Sequence, residues 1–189
     1  MKKHSFKRCA AVFAACTIMA SALPVVSAPV SAAGNIIKNS TFETGTSGWG
    51  TYKESGGKCT LTTEDGKLAL KISSVGKLNY AVQLNYDIIP LYKNGVYRFK
   101  YDISSTVDRY VEGMIQQNGG KYQAYTWKGL QISSTPQTVD YEFTMEEDTD
   151  IMAKMCFNCG LQEKDPELPE HTIYLDNVSL ELVDDRKVD

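Results

Sequence analysis

The sequence predicts an all-β protein, an antiparallel β-sandwich or barrel, from the pattern of residues 34–183. No stretch of this region repeats apolar residues at the spacing of an amphipathic helix. Short runs rich in Val, Ile, Tyr, Phe and Thr recur instead, separated by turn-forming pairs such as Asp65-Gly66 and Asn94-Gly95. We therefore expect strands near residues 35–43, 48–54, 58–63, 67–73, 78–86, 95–104, 109–118, 121–127, 137–144, 151–159 and 171–182.

Alternation along single strands predicts which side chains are buried, because successive residues of a strand point to opposite faces of the sheet. In the strand at 95–104 the core-facing residues are expected to be Tyr97, Phe99, Tyr101 and Ile103. In the strand at 151–159, Met155 and Phe157 suit the core and leave Lys154, Cys156 and Asn158 on the other face. In the strand at 78–86, only a bulge would bring Tyr80 and Asn85 to one surface.

Residues 1–33 have the pattern of a secretory signal peptide. A basic start at residues 2–8 is followed by a mostly small and apolar run at 9–23. Ser31-Ala32-Ala33 then supplies the small residues that precede a cleavage site at Gly34. Because the apolar run is too short to span a membrane stably, we expect a protein that is secreted and extracellular.

The remaining chain is expected to form one domain at 34–183, with a charged tail or the start of a linker at 184–189. Removing the signal peptide takes away four positive charges and no negative ones, which leaves 16 Lys and Arg against 23 Asp and Glu. A net charge of −7 makes nucleic acid and anionic membranes poor partners. A neutral polymer fits this balance better.

The domain retains three cysteines, Cys59, Cys156 and Cys159, so at least one has no partner within the chain. Cys156 and Cys159 have the C-x-x-C spacing of some metal and redox sites. Residues three apart in a strand point to opposite faces, however, and His171 is the only histidine of the domain. We expect core or surface thiols, with one disulfide to Cys59 as an open alternative.

The stretch from Tyr110 to Trp127 has the clearest functional pattern. It reads as a strand with one apolar and one mostly polar face, a turn at Asn118-Gly119-Gly120, and a second strand. The polar face carries amides, and Tyr122, Tyr125 and Trp127 follow the turn. Amides supply in-plane donors and acceptors for sugar hydroxyls, and aromatic rings suit the apolar faces of pyranoses. The pattern favours a carbohydrate ligand, although an edge hairpin with a solvated face would read similarly.

Several segments, in order along the domain, resemble a known family. They are NIIKNSTFE at 35–43, GW at 48–49, NGVY at 94–97, QNG at 117–119 with Tyr122, and YLDNVSL at 174–180. Together they resemble the carbohydrate-binding modules of families 4 and 9. The segment SGGKC at 55–59 is similar to modules attached to secreted bacterial cellulases.

The resemblance implies a jelly-roll β-sandwich with a ligand-binding cleft across its concave sheet. It implies a non-catalytic module that binds single β-glucan chains, such as amorphous cellulose or β-1,4 and mixed-linkage glucans, and that targets an attached or partner glycoside hydrolase. The residues that match the family's carbohydrate contacts are Tyr52, Tyr80, Tyr122, Asn85, Asn118 and Asn158. Expected neighbours with a less clear match are Gln83, Gln116, Gln117 and Trp127. Glu112 and Lys154 depart from the family pattern by placing charges on the cleft face.

A structural calcium ion that joins the first and last strands is also implied by the resemblance. The matching positions are Thr41 and Glu43, the backbone around Gly66 and Lys67, and Asp176. Hard oxygen ligands of this kind suit calcium. The alternative is that Glu43 and Asp176 are ordinary surface carboxylates.

Two other function classes remain at this stage. A jelly-roll glycoside hydrolase acting on β-glucan would need two carboxyl groups across the scissile bond, and the central polar strand offers only Glu112. No Ser, His and Asp set is available for nucleophilic catalysis, since His171 stands alone. A protein-binding surface or adhesion module is the other alternative.

Overall fold

A computed structural model gives the fold of residues 34–163 and 168–188, and these residues form ten β-strands and no helix. The predicted signal peptide, residues 1–33, lies outside the described residues, as does the end of the predicted tail at residue 189. The described part of the chain accordingly contains no helix of the length and apolarity needed to cross a membrane. The strands are β1 (Trp49–Lys53), β2 (Gly57–Glu64), β3 (Lys67–Val75), β4 (Val82–Leu91), β5 (Val96–Ser105), β6 (Arg109–Gln116), β7 (Ala124–Ile132), β8 (Gln137–Thr144), β9 (Asp150–Asn158) and β10 (His171–Asp184).

The strands form two five-stranded antiparallel sheets. The order is β1-β4-β9-β6-β7 in the front sheet and β2-β3-β10-β5-β8 in the back sheet. Most neighbours within a sheet are far apart in sequence, so the chain crosses repeatedly from one sheet to the other. This is the arrangement of a jelly-roll sandwich, and the predicted fold class is confirmed.

The core lies between the sheets and is rich in aromatic rings. Tyr97, Phe99, Tyr101 and Ile103 of β5 are buried, as the alternation predicted, and so are Met155 and Phe157 of β9. Tyr101 of the back sheet meets Phe157 of the front sheet edge to face, with ring centroids 5.1 Å apart. These contacts hold the two sheets together by burying large apolar surfaces.

The predicted strand at residues 35–43 is wrong, because residues 34–48 form bends and turns instead. Asn39 and Phe42 have φ angles of 50° and 58°, in the left-handed region that an extended strand excludes. The segment still runs beside β10, where the Ile36 amide donates to the Leu180 carbonyl over 2.8 Å.

Several other predicted boundaries move, and the shifts at the starts of β4 and β7 concern the ligand face. β4 begins at Val82 rather than residue 78, since a turn precedes it in which the Ala81 amide donates to the Leu78 carbonyl. β7 begins at Ala124 rather than residue 121 and extends to Ile132. Tyr80 therefore lies in a turn, and no bulge is needed to bring it to the surface that Asn85 faces.

All three cysteines of the described residues are free and buried, so the disulfide alternative does not occur. Cys159 belongs to the core cluster, whereas the Cys156 thiol contacts the Asn158 side chain on the outward side of the front sheet. Burial raises the pKa of both thiols to about 12. Thiolates are thus disfavoured at neutral pH, which argues against redox or metal chemistry at this C-x-x-C sequence.

Candidate functional site

The front sheet presents three rows of side chains on its outward face, and the strand register sets their order. The first row, from β1 to β7, is Tyr52, Gln83, Asn158, Glu112 and Gly129. The second row is Gly50, Asn85, Cys156, Met114 and Trp127. The third row, on the middle strands, is Asp87, Lys154 and Gln116. Amides therefore occupy the centre of the sheet, and aromatic residues stand at its edges.

A groove of about 520 Å³ crosses this face, and we call it the cleft. The residues that line it are Tyr52, Tyr80, Gln83, Asn85, Asp87, Gln116, Asn118, Tyr122, Lys154 and Asn158. The structure thus brings together eight of the ten residues that the sequence proposed as carbohydrate contacts. Residues as distant in sequence as Tyr52 and Asn158 meet because β1 and β9 both pair with β4.

Three tyrosines from separate elements are exposed in the cleft. Tyr52 lies on edge strand β1, Tyr80 in the turn before β4 and Tyr122 in the β6–β7 turn, with 46%, 42% and 57% of their surfaces exposed. The Tyr52 hydroxyl donates to a Glu54 carboxylate oxygen over 2.8 Å, and this bond raises the pKa of Tyr52. The Lys154 ammonium lies 5.3 Å from the centroid of the Tyr122 ring. These contacts orient two of the rings and leave their surfaces open to solvent.

A chain of hydrogen bonds, which we call the amide bridge, crosses the first row. Gln83 Nε2 donates to Asn158 Oδ1 over 2.8 Å, and Asn158 Nδ2 donates to a Glu112 carboxylate oxygen over 2.9 Å. Asn79 Nδ2 donates to the same oxygen over 3.0 Å. Both ends of the Asn158 amide are therefore engaged within the protein. Asn158 positions its neighbours and has little capacity left for a ligand.

The Asn85 side chain, on the neighbouring strand β4, differs from that of Asn158 in its hydrogen bonding. Within the described residues, its buried Oδ1 atom has no hydrogen-bond partner. A buried acceptor without a donor destabilises a folded protein. A ligand hydroxyl in the cleft would supply the missing donor.

The cleft also holds a pair of opposite charges. The sequence placed Lys154 on this face, and the structure adds Asp87, which pairs with Lys154 across β4 and β9. The signal that could have found Asp87 is simple alternation, because Gln83, Asn85 and Asp87 are two residues apart in one strand.

Gln117 and Trp127, the other two proposed contacts, lie outside the cleft. Gln117 is in the β6–β7 turn, where its Oε1 atom accepts the Lys121 amide over 3.3 Å. Trp127 stands on edge strand β7 and lines a second groove with Tyr110 and Gln162.

Four of the five positions proposed for calcium form two close pairs, Glu43 with Gly66 and Lys67 with Asp176. The Glu43 carboxylate lies against the β2–β3 turn, with Oε1 3.8 Å from the position of a Cβ built on Gly66. Lys67 and Asp176 line one depression, and the Val178 amide donates to the Ser40 carbonyl over 3.0 Å. Throughout residues 34–163 and 168–188, no three His, Cys, Asp or Glu side chains are grouped as metal ligands. A cation here would need hydroxyl and backbone oxygens as well as the two carboxylates, and that mixture of hard oxygens fits calcium.

Comparison with known proteins decides the family. A family model described as "Carbohydrate binding domain", of types 4 and 9, matches residues 34–166. The chain belongs to this family. No curated protein matches the chain in sequence.

Solved structures of such modules share the fold at low sequence identity. One described as "CBM4 structure and function" superposes with a TM-score of 0.68 at 22% identity, covering 76% of this chain and 97% of that one. The N-terminal cellulose-binding domain of Cellulomonas fimi β-1,4-glucanase C gives a TM-score of 0.57 at 23% identity, with coverage of 70% and 87%. The second such domain of the same enzyme gives 0.59 at 19% identity, with coverage of 83% and 99%. At these identities the likeness establishes the fold.

Proposed function

We propose that this carbohydrate-binding domain is a non-catalytic module that binds single β-glucan chains in the cleft. The observation that carries the proposal is the grouping of Tyr52, Tyr80 and Tyr122 around a floor of amides. Pyranose rings stack on aromatic faces, and amides select hydroxyl positions. The sheet fixes these groups before the ligand arrives, so little conformational entropy is lost on binding.

The charges of the cleft agree with a neutral ligand. Asp87 and Lys154 occupy paired positions of neighbouring strands and carry opposite charges, and Glu112 accepts two amide donors. The domain as a whole carries a net charge of −7, which disfavours acidic polymers. The two cellulose-binding domains that share the fold add support for a β-1,4-linked glucan.

The placement of carboxylates in the cleft argues against hydrolysis. Asp87 and Glu112 are two strands apart, on rows that lie four residues apart along β9. At about 3.3 Å per residue and about 4.8 Å per strand, their backbones are about 16 Å apart. The bond from Asn79 also draws Glu112 away from Asp87. Glycoside hydrolases hold their two carboxyl groups roughly 5–9.5 Å apart.

We further infer that the protein is exported and serves an attached or partner glycoside hydrolase. The basic, apolar and small-residue pattern of residues 1–33 supports export. A module that holds a glucan without cleaving it raises the local concentration of substrate for an enzyme linked to it or acting beside it.

Affinity electrophoresis, run beside a reducing-sugar assay, tests the proposed function. We expect gels containing barley β-glucan or hydroxyethylcellulose to retard the protein more than gels with laminarin or xylan, and no reducing sugar to be released. Replacing both Tyr52 and Tyr122 by Ala should remove the retardation. Tyr92→Ala is the matched control, because Tyr92 is also exposed but lies outside the cleft.

Two results would contradict this function. One is a parent protein that no β-glucan retards. The other is release of reducing sugar that Glu112→Gln abolishes, which would identify a hydrolase.

We also propose that calcium binds Thr41, Glu43, the backbone at Gly66 and Lys67, and Asp176. The support is the approach of the Glu43 carboxylate to Gly66 and the closeness of Lys67 to Asp176. Such an ion would join the first turns of the domain to β10 and stabilise the fold by mass action. Chelator should lower the melting temperature, and added calcium should restore it. Asp176→Ala should abolish this response, and an unchanged melting temperature of the parent in chelator would refute the site.

A further inference from the structure

A second groove lies beside the cleft, towards edge strand β7 of the front sheet. It has a volume of about 670 Å³ and is lined by residues that include Leu78, Asn79, Tyr110, Glu112, Trp127 and Gln162. We call it the Trp127 groove. The amide bridge separates it from the cleft, since Asn79 and Glu112 line the groove whereas Gln83 and Asn158 line the cleft.

The floor of the Trp127 groove is aromatic, and a glycine makes room for it. More than half of the Trp127 surface is exposed, at 53%. A Cβ atom built on Gly129 would lie 1.5 Å from the Tyr110 hydroxyl and 3.0 Å from the Trp127 ring. Any side chain at this position would therefore push both aromatic groups off the sheet. With glycine there, the Tyr110 hydroxyl and the Trp127 ring both lie over β7.

One wall of the groove holds a polar group that no atom of residues 34–163 and 168–188 satisfies. Gln162 is only 6% exposed, and in the described part of the chain its Nε2 atom has no hydrogen-bond partner. Burying an amide donor in this way is unfavourable unless an acceptor arrives. Gln162 lines the groove, and because its Nε2 atom is covered, a rotation of the side chain would bring this donor to an acceptor bound there.

The segment that carries Gln162 is held firmly in place. The Gly160 and Leu161 amides donate to the Asn79 and Leu78 carbonyls over 2.9 and 3.0 Å. A Cβ on Gly160 would lie 2.2 Å from the Leu78 carbonyl oxygen, so only glycine allows the two segments to approach this closely. The buried Arg109 guanidinium donates to the Cys159 and Gly160 carbonyls. The backbone that leads to Gln162 is thus fixed against the turn before β4.

We propose that the Trp127 groove is a second carbohydrate-binding site, in which a neutral pyranose residue stacks on Trp127 and accepts a hydrogen bond from Gln162 Nε2. This inference rests on the proposed function, since both sites would take the same glucans. Glu112 lines the groove with its carboxylate and can accept from sugar hydroxyls. Lys77 and Glu163 are also on the lining, so the groove carries one positive and two negative side chains, which disfavours an anionic ligand.

The bound sugar has two possible sources with the same chemistry. A glucan chain that fills the cleft continues past the amide bridge in one case, and a separate chain occupies the groove in the other. If a single chain continues from the cleft, occupancy of the groove depends on chain length and on an intact cleft. If a separate chain binds the groove, occupancy depends on neither.

The two tryptophans allow the groove to be observed by itself in ¹H–¹⁵N spectra. Trp49 is 7% exposed in the core and serves as an internal reference for the exposed Trp127. On titration with cellotriose, cellohexaose and laminarihexaose, we expect the Trp127 indole signal to shift and saturate while the Trp49 signal stays in place. Asn85 and Asn118 side-chain amides report on the cleft in the same spectra.

Repeating the titration with Tyr52 and Tyr122 both replaced by Ala separates the two sources. A Trp127 shift that persists identifies a separate chain. A shift that occurs only with hexaoses and only in the parent identifies the continuing chain. Either result supports the second site.

Gln162→Glu tests the donor directly, because it removes the amide NH₂ and keeps the shape of the side chain. We expect half-saturation of the Trp127 signal to need roughly tenfold more oligosaccharide. Gln137→Glu is the matched control, since the Gln137 amide donates to the Gln131 carbonyl on a different surface. An unchanged titration in Gln162→Glu would overturn the site. If the Trp127 signal does not move while the Asn85 and Asn118 signals shift, the second site is overturned and the proposed function stands. If no signal shifts, both the second site and the proposed function are overturned.

Discussion

The outward faces of the two sheets differ in how their polar groups find partners. On the back sheet, Arg98 and Asp140 form two parallel hydrogen bonds of 2.7 and 2.6 Å, and Lys71 pairs with Glu64. On the front sheet, counting partners among residues 34–163 and 168–188, the buried Asn85 Oδ1 has none. The front sheet also exposes tyrosine rings that the fold could have buried.

This difference shows that the jelly roll itself does not specify binding. Both sheets have five antiparallel strands. The two sheets differ in how many of their outward side chains can still contact a ligand after folding. That number depends on the individual side chains and not on the fold. Groups left unsatisfied in this way reduce the stability of the fold and increase the affinity for a ligand.

The largest effect is expected where the two sheets are joined. Arg109 of β6 donates to the Cys159 and Gly160 carbonyls and contacts His171 of β10 in the other sheet. Arg109→Leu would leave these buried acceptors without their donor, which should lower the free energy of unfolding by about 3 kcal/mol. Urea denaturation measures this change. Arg109→Lys should fall between the parent and Arg109→Leu, and a loss below about 1 kcal/mol in Arg109→Leu would contradict the assignment.

Two asparagines of the front sheet should respond to truncation in opposite ways. Asn158→Ala removes the centre of the amide bridge and should lower the free energy of unfolding by about 1–3 kcal/mol. Asn85→Ala removes an unsatisfied acceptor, so stability should stay constant or rise, while glucan binding weakens by about 1 kcal/mol. Thermal unfolding and titration calorimetry on both variants check this pair. A loss of stability in Asn85→Ala with unchanged binding would make Asn85 a structural residue.

Low pH should destabilise the protein at the contact between the two sheets, where His171 lies. Burial, assisted by the Arg109 guanidinium, lowers the pKa of His171 below its ordinary value of 6.5. Its Nδ1 atom lies 2.7 Å from the Pro169 carbonyl and donates to it, so Nε2 accepts from Arg109. Between the folded-state pKa and 6.5 the unfolded chain binds more protons than the folded one. The free energy of unfolding should therefore fall as the pH drops below about 6.5, and level off below the folded-state pKa.

Denaturation at a series of pH values, for the parent and for His171→Gln, isolates this effect. The variant has no group that titrates at this position, so its stability should vary less between pH 7.5 and 5.5. Curves that stay parallel over this range would show that His171 does not contribute.

The smallest effect is expected on the back sheet. Arg98 and Asp140 are partly exposed, and surface ion pairs of this kind contribute little to stability because water screens them. Arg98→Ala should therefore leave the free energy of unfolding almost unchanged and glucan binding as in the parent. A change in affinity would show that the back sheet also contacts the ligand.

Local patterns predicted much of the fold because strand alternation and turn residues act over a few positions. The buried faces around Tyr101 and Phe157 follow from alternation alone. The strand prediction for residues 35–43 failed because their apolar residues suggest a strand. The chain turns there instead, with left-handed angles at Asn39 and Phe42, Asn39 hydrogen bonds to the Gly45 and Ser47 carbonyls, and a contact between the Phe42 and Trp49 rings. Tyr80 could not be placed from sequence either, since its turn is held by hydrogen bonds to Gly160 and Leu161.

The site was predictable to the extent that it follows strand faces. Gln83, Asn85 and Gln116 lie in the cleft because they share one face of the front sheet. Gln117 lies outside it because it follows the last residue of β6. The groove around Trp127 needs a wall from residues 161–163, so no local pattern contains it.

The reactivity of the three buried thiols can report on local opening motions of this protein. Cys59 lies on the back sheet, Cys156 lies beneath the cleft, and the Cys159 carbonyl accepts a hydrogen bond from Arg109. All three thiols are buried. A thiol reagent can modify each one only during excursions that expose it, so three alkylation rates sample three regions of the same molecule. Excursions confined to one sheet would separate these rates, whereas cooperative unfolding would make them equal. A glucan held over Cys156 would slow that thiol most and so reveal how far ligand binding stiffens the sheet beneath it.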